Sequence, residues 1–230
     1  MSTIADNISQ VAARIRRAEQ AAQRVADSVQ LLAVSKTKPA AAVREAYAAG
    51  VRDFGENYLQ EALGKQRELT DLPLCWHFIG PIQSNKTRDI AQNFAWVHSV
   101  DRLKIAQRLS EQRPAELPAL NICIQVNVSG EASKSGCTPA DLPALVAAIS
   151  ALPHLTLRGL MAIPEPTDDR AEQDAAFAAV RELNKSLQDS LNLPLDTLSM
   201  GMSHDLESAI AQGATWVRIG TALFGARDYP

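Results

Sequence analysis

A lysine placed directly after an apolar run is the first group in this sequence able to do covalent chemistry. Leu31–Ser35 reads as a strand, and Lys36 follows it in the segment Ser35-Lys36-Thr37-Lys38-Pro39. A lysine at the end of a buried strand is partly desolvated, which lowers its pKa and frees the amine as a nucleophile toward carbonyls. The plainer role is a side chain that snorkels to water, and position alone favours that role. Lys38 shares the parity of Lys36 but precedes Pro39 at an expected helix start, so it is expected to be exposed.

Two glycine turns offer anion chemistry. Ser199-Met200-Gly201-Met202-Ser203 leads from a short strand into a helix. Gly201 would let the backbone approach a ligand, Ser203 would cap the helix, and free amides there would favour an anion. Ile219-Gly220-Thr221 repeats the arrangement after the last strand. Asp205 and Glu207 suit a helix start but would repel a phosphate, so they are expected to point away. Arg218 precedes the second turn, and its parity with Trp216 and Gly220 turns it inward, where it could meet a phosphate or a ring nitrogen. The plain alternatives are two ordinary turns and an arginine paired with an acid.

Other groups carry less. His77 lies inside an apolar strand and reads as a satisfied core histidine. Asn57 follows Gly55-Glu56 and could hydrogen-bond a ligand or merely begin a helix. Glu56 and Glu61 form no close acid pair of the glycosidase kind, and no GxSxG nucleophile elbow occurs. The cysteines Cys75, Cys123 and Cys137 and the four histidines show no metal-ligand spacing, so no metal site is expected.

These groups need elements to position them. Short apolar runs at Leu31–Ser35, Val51–Phe54, Leu74–Ile79, Ala95–His98, Leu120–Val126, Leu155–Gly159, Thr197–Ser199 and Trp216–Ile219 read as strands. Helices are expected between them, beginning near Pro39, Glu56, Ser84, Asp101, Thr138, Asp168 and Ser203. Eight alternations in this length indicate an α/β protein with a parallel sheet, read as a (β/α)8 barrel. An open doubly wound sheet competes, but no GxGxxG follows the first strand. In a barrel the polar loops after the strands meet at one end, and Met161-Ala162-Ile163-Pro164 after the sixth strand joins them. Gly130–Gly136 reads as a further polar loop. Ile4, Ile8, Val11 and Ile15 fall at helical spacing, so residues 1–28 read as a docking helix with Arg14, Arg16, Arg17 and Arg24 facing solvent.

The composition bounds the partners. Among 230 residues, 23 Lys+Arg stand against 26 Asp+Glu, a net charge of -3. That leaves no broad basic footprint for nucleic acid. The apolar runs are too short to span a bilayer. An odd, scattered cysteine set points to reduced thiols and the cytoplasm. No composition shift divides residues 1–230 into domains.

Several blocks together resemble a known family. They are Ala33-Val34-Ser35-Lys36-Thr37-Lys38-Pro39, Phe54-Gly55-Glu56-Asn57-Tyr58, Trp76-His77-Phe78-Ile79-Gly80, Gln83-Ser84-Asn85-Lys86 and Gly159-Leu160-Met161-Ala162-Ile163-Pro164. The series closes with Leu198-Ser199-Met200-Gly201-Met202-Ser203 and Val217-Arg218-Ile219-Gly220-Thr221-Ala222-Leu223-Phe224-Gly225-Ala226-Arg227. In this order they resemble the YggS/PROSC family of pyridoxal phosphate-binding homeostasis proteins. The resemblance implies a fold type III barrel like the N-terminal domain of alanine racemase. Lys36 would carry pyridoxal 5'-phosphate as an internal aldimine, and Ser203, Gly220 and Thr221 would hold its phosphate. Arg218 would face the pyridine nitrogen, while Asn57 and Met161 would line the pocket. His204 departs from the Asp or Ala expected after that serine.

An arginine beside the pyridine nitrogen keeps it unprotonated and weakens the ring as an electron sink. With Pro230 just after the barrel, the expectation is that no second domain supplies a base as it does in alanine racemase. The expectation is a carrier and regulator of pyridoxal phosphate, a monomer that stores the aldehyde and passes it to apo-enzymes, with no residue assigned as catalytic. The alternative is an amino-acid racemase-like enzyme with His77, Tyr58 or Lys86 as second base. A phosphosugar barrel is the third reading. Lys36, Lys38, Lys86 and Lys134 are candidates for moving the cofactor between amines.

Overall fold

Alternating residues along each strand must satisfy two different surroundings, and a barrel provides both. A computed structural model describes residues 3–129 and 135–225. Its strands are β1 (Gln30–Val34), β2 (Asp53–Glu56), β3 (Cys75–Phe78), β4 (Trp96–Val100), β5 (Leu120–Gln125), β6 (Leu155–Met161), β7 (Thr197–Ser199) and β8 (Trp216–Ile219). They close in sequence order, with β1 paired to both β2 and β8. Every pairing is parallel, which the helical crossovers require. The helices are α1 (Ile4–Ala21), α2 (Ala40–Ala48), α3 (Leu59–Glu68), α4 (Thr87–Asn93), α5 (Leu103–Gln112), α6 (Leu142–Ser150), α7 (Arg170–Leu191), α8 (Leu206–Ala211) and α9 (Thr221–Phe224).

The outward strand residues, among them Ala33, Phe54, Val97, Ile122, Leu160 and Val217, pack under the helices in the main core. The inward set is smaller and partly polar. Leu32, Val34, Ile79 and Trp216 form one cluster, and Trp96, Cys123 and Met161 another. His77, His98, Ser199 and Arg218 are buried among them. The inward parity of Leu32 and Val34 continues to Lys36, and that of Trp216 to Arg218. Both functional candidates are therefore carried to the barrel interior by strand geometry.

All eight expected strands form, with shifted edges. The strand expected at Val51–Phe54 lies at Asp53–Glu56, so Glu56 is a buried strand residue and α3 begins only at Leu59. The sixth strand runs past Gly159 to Met161, because Met161 pairs with both Gln125 and Ser199. The helix expected from Ser203 starts at Leu206, after a turn. The short α9 was not anticipated. Residues 130–134 of the Gly130–Gly136 loop, including Lys134, lie outside the described residues.

The N-terminal helix docks as its spacing implies. Thr3 and Asp6 form a reciprocal cap, and Ile8, Val11, Ile15 and Ala18 are buried. Its arginines do not all face solvent. Arg14 makes a two-pronged bond to Glu207 of α8, 2.9 Å on each arm. Arg24 donates to the carbonyls of Ile210 and Ala214. Arg16 and Arg17 are exposed. Asn7 donates to Leu223 O in α9 at 2.8 Å, so α1 braces the two elements that follow β7 and β8.

Candidate functional site

A cavity of about 270 Å³ opens at the C-terminal ends of β1, β2 and β8, close to the lower end of the range for small-molecule sites. Lys36, Asn57, Ser203, Arg218, Gly220 and Thr221 line it, together with His204 and an apolar set of Val34, Ile79, Ile163 and Met202. Six of the seven expected ligand contacts are thus brought to one place. Met161 is not. It is fully buried in the barrel interior against Trp96 and Cys123, because β6 continues through it. Lys38 is half-buried, not exposed, and lines a smaller cleft shared with Lys36, Gly220 and Thr221. His77, Tyr58 and Lys86 are not among the residues lining the cavity.

Lys36 sits in a tethered loop. The preceding Ser35 donates its hydroxyl to Glu56 Oε1 at 2.6 Å. The following Thr37, in a left-handed conformation at φ 64°, donates its N–H to Glu61 Oε1 at 2.6 Å. Lys65 ties both sides together, its ammonium donating to Ser35 O (2.6 Å), Glu56 Oε1 (2.7 Å) and Glu61 Oε1 (2.6 Å). Three donors meet three acceptors, so the ammonium is saturated. Burial pushes the Glu56 carboxyl up, and the Lys65 charge and hydrogen bonds only partly oppose it. None of Glu56, Glu61 and Lys65 was singled out as supporting the lysine. The available signal was the Glu61/Lys65 pair at i,i+4, which alone reads as a surface pair.

Arg218 is the buried cationic group of the cavity. Only 4% of it is exposed. Nη1 donates to Ser199 Oγ and Nη2 to Ala162 O, each at 2.9 Å. Burial brings its pKa down to about 10, against the opposing pull of Asp205, so it stays charged at neutral pH. Asn57 contributes a buried Oδ1 without a hydrogen-bond partner. Such an atom in a cavity wall calls for a donor that is not part of the wall.

The two glycine turns differ from each other. At Gly220 an added Cβ would lie 3.3 Å from Val34 O, so the β8 turn runs close against β1 beside the lysine. At Gly201 the tight approach is to the protein itself. Its φ is +96°, and an added Cβ would lie 2.5 Å from Ala209 Cβ of α8. Gly201 therefore serves loop–helix packing, a correction to its expected role beside a ligand. Ser203 does not cap α8 either, since Asp205 holds the cap position. Asp205 accepts the Met202 N–H at 2.6 Å, which commits that amide. Glu207 turns away to Arg14. Ser203, Gly220 and Thr221 stand together in the cavity lining. His204 stands at its edge, half-exposed, with Nε2 3.7 Å from Asp205.

At the opposite end of the barrel, Asp53, Cys75 and His77 bring three potential ligand atoms within 4.8 Å of one another. Their sequence spacing gave no hint of it, because the fold alone aligns the starts of β2 and β3.

The wider similarities agree with this geometry. Residues 7–228 match the model of the alanine racemase N-terminal domain. The pyridoxal phosphate homeostasis protein of Pseudomonas aeruginosa is 79% identical over 229 residues, covering 100% of this chain and 98% of that protein. The protein of the same name from Escherichia coli is 52% identical over 234 residues, covering 100% and 99%. PipY of Synechococcus elongatus, solved with pyridoxal phosphate bound, superimposes with a TM-score of 0.85 at 45% identity, covering 97% of this chain and 100% of that one. The alanine racemase of Corynebacterium glutamicum shares the fold at a TM-score of 0.69 and 18% identity, with 61% of its length covered. The chain therefore belongs to the alanine racemase N-terminal-domain family, among the pyridoxal phosphate homeostasis proteins.

Proposed function

We propose that the cavity binds pyridoxal 5'-phosphate and that the protein holds and releases it in cofactor homeostasis. The observation that carries the reading is the meeting of Lys36, the buried Arg218 and the hydroxyl residues Ser203 and Thr221 in the lining of a single cavity. The partnerless Asn57 Oδ1 in its wall supports the fit. When bound, the cofactor supplies an electrophilic aldehyde and an electron-withdrawing pyridine ring.

Lys36 is the amine that engages the aldehyde, and the tethers on Ser35 and Thr37 hold it in place. Ser203, Thr221 and the Gly220 turn receive the phosphate. Arg218 is donor-only and charged at neutral pH, so it would keep a ring nitrogen unprotonated. A ring held in that state is a weak electron sink, which suits storage better than turnover. The racemase reading needs a second base, and neither His77, Tyr58 nor Lys86 is on the cavity wall. The partners on this reading are the cofactor and the apo-forms of enzymes that use it. On this reading it works as a cytoplasmic monomer. Among the described residues no helix is long and apolar enough to cross a membrane.

Titration with pyridoxal phosphate tests the reading. The wild type is expected to develop a visible absorption band that Lys36→Ala lacks. Ser203→Ala and Thr221→Ala are each expected to weaken binding about tenfold, the scale of one hydrogen bond to a charged group. Equal binding by wild type and Lys36→Ala would overturn it, and rapid turnover of an amino acid would overturn the storage role.

A further inference from the structure

Four contacts in the barrel interior join Arg218 to the opposite rim. Ser199 Oγ, which accepts from Arg218 Nη1 at 2.9 Å, lies 2.7 Å from His98 Nδ1. His98 Nε2 lies 2.9 Å from His77 Nδ1, and His77 Nε2 lies 3.0 Å from Asp53 Oδ1. Ser199, His98 and His77 are buried, while the Asp53 side chain is 28% exposed. Trp96 stacks on His77 at 5.5 Å with a 4° interplanar angle, and Trp216 meets the same ring edge-on at 5.0 Å. His98 lies against the same two indoles. The line is therefore sheathed in aromatic surface.

Proton counting gives the line one direction. Arginine only donates and a carboxylate only accepts. One proton fits between the facing nitrogens of His98 and His77, and Ser199, already accepting from Arg218, offers its own proton to His98 Nδ1, so the line holds one N–H on each ring. Asp53 requires that proton on His77 Nε2, which leaves His77 Nδ1 to accept from His98 Nε2–H. His98 Nδ1 then accepts the Ser199 hydroxyl proton, and the Ser199 lone pair faces Arg218. Starting from Arg218 yields the same assignment. Reversal would set a lone pair against the Asp53 carboxylate and leave the Ser199 proton without an acceptor in the line. Among the described residues, Cys75 Sγ, 3.4 Å from His77 Nε2, is the other polar neighbour of these rings. Burial and the Asp53 charge raise that thiol to about 12, so it brings no competing charge.

We propose that Asp53, His77, His98 and Ser199 are positioning residues that fix Arg218 at the cavity floor from the far rim of the barrel. Its effect on the cofactor rests on the pyridoxal phosphate reading, whereas the proton arrangement does not. Ordering of a charged ligand by partners behind it is a general means of tuning a site.

The test uses nitrogen-15 spectra of the cofactor-free protein, followed by pyridoxal phosphate titration. His77 and His98 are both expected to be neutral with the proton on Nε2. Ser199→Ala is expected to speed rotation of the Arg218 guanidinium and to weaken cofactor binding about tenfold, the scale of a hydrogen bond to a charged group. Position 53 lies on the half-exposed rim, where substitutions spare the core. Asp53→Asn keeps an acceptor and is expected to preserve both tautomers. Asp53→Lys puts a donor there and is expected to move protons to Nδ1, with weaker binding. A wild-type Nδ1–H tautomer in either ring would overturn the proposal. So would an Asp53→Lys protein whose His98 and Arg218 signals match the wild type. Wild-type spectra as expected, with no cofactor binding, would sink the cofactor reading and leave the proton arrangement standing.

Discussion

Lys65 shows how a site residue can depend on one that never touches the ligand. It is 4% exposed and faces Glu56, which is fully buried. Removing one partner of such a pair strands the other charge. Lys65→Met is expected to destabilise the fold by roughly 3–5 kcal/mol, with Glu56→Gln in the same chain recovering part of it. Urea unfolding of the single and double variants checks this. The two interior histidines give a pH dependence of definite sign. Burial lowers both in the folded state below the ordinary 6.5, and for His98 the neighbouring His77 and Arg218 add to the effect. Below that pH the unfolded chain binds protons that the folded one refuses. Stability should be level above neutral and should fall as pH drops below about 6.5, by at most about 1.4 kcal/mol per pH unit for each histidine. A urea midpoint that stays flat between neutral and mildly acidic pH would contradict it. At this scale Lys36 and Arg218 were legible because strand parity aims them. Met161 was misplaced because one more strand pairing turns a loop residue into a core residue. Glu56 and Lys65 were missed because nothing local marks a charge as buried.

The elements were legible as alternating apolar runs, and their edges were set by contacts the sequence does not display. β2 slipped toward Glu56 because Ser35 and Lys65 hold its Oε1 inside, although the buried Oε2 has no hydrogen-bond partner. The turn before α8 formed because Asp205 takes the Met202 amide. Gly201 joins this turn to the helix, and its substitution is a test of packing. Gly201→Ala is expected to cost about 1–3 kcal/mol by overpacking against Ala209, with added strain from its positive φ. Thermal unfolding reads the loss. Helix α1 bears on the same region through Arg14–Glu207 and Asn7–Leu223. Arg14→Ala combined with Asn7→Ala is expected to raise amide hydrogen exchange in α8 and α9 while leaving β3–β5 protected. Uniform loosening across the barrel would contradict that local bracing.

At the scale of the molecule, the closed parallel barrel separates stability from binding. The outer core beneath the helices is mainly apolar, with the buried Glu56–Lys65 pair set into it, whereas the inner one admits histidines, a serine and an arginine. One end gathers the lysine, hydroxyls and arginine, and the other end carries Asp53 and Cys75. The ordinal placement of the β7 and β8 turns was visible in the sequence as a barrel habit. The line of side chains between the two ends was not, since its members come from β2, β3, β4, β7 and β8 and meet only on closure. The central claim is that this cavity holds pyridoxal phosphate through Lys36. Reductive trapping with borohydride, followed by peptide mapping, tests it most directly. The account predicts a single labelled peptide carrying the modification on Lys36, absent in Lys36→Ala. A label on Lys38, Lys65 or Lys86 in its place, or no label at all, would contradict it.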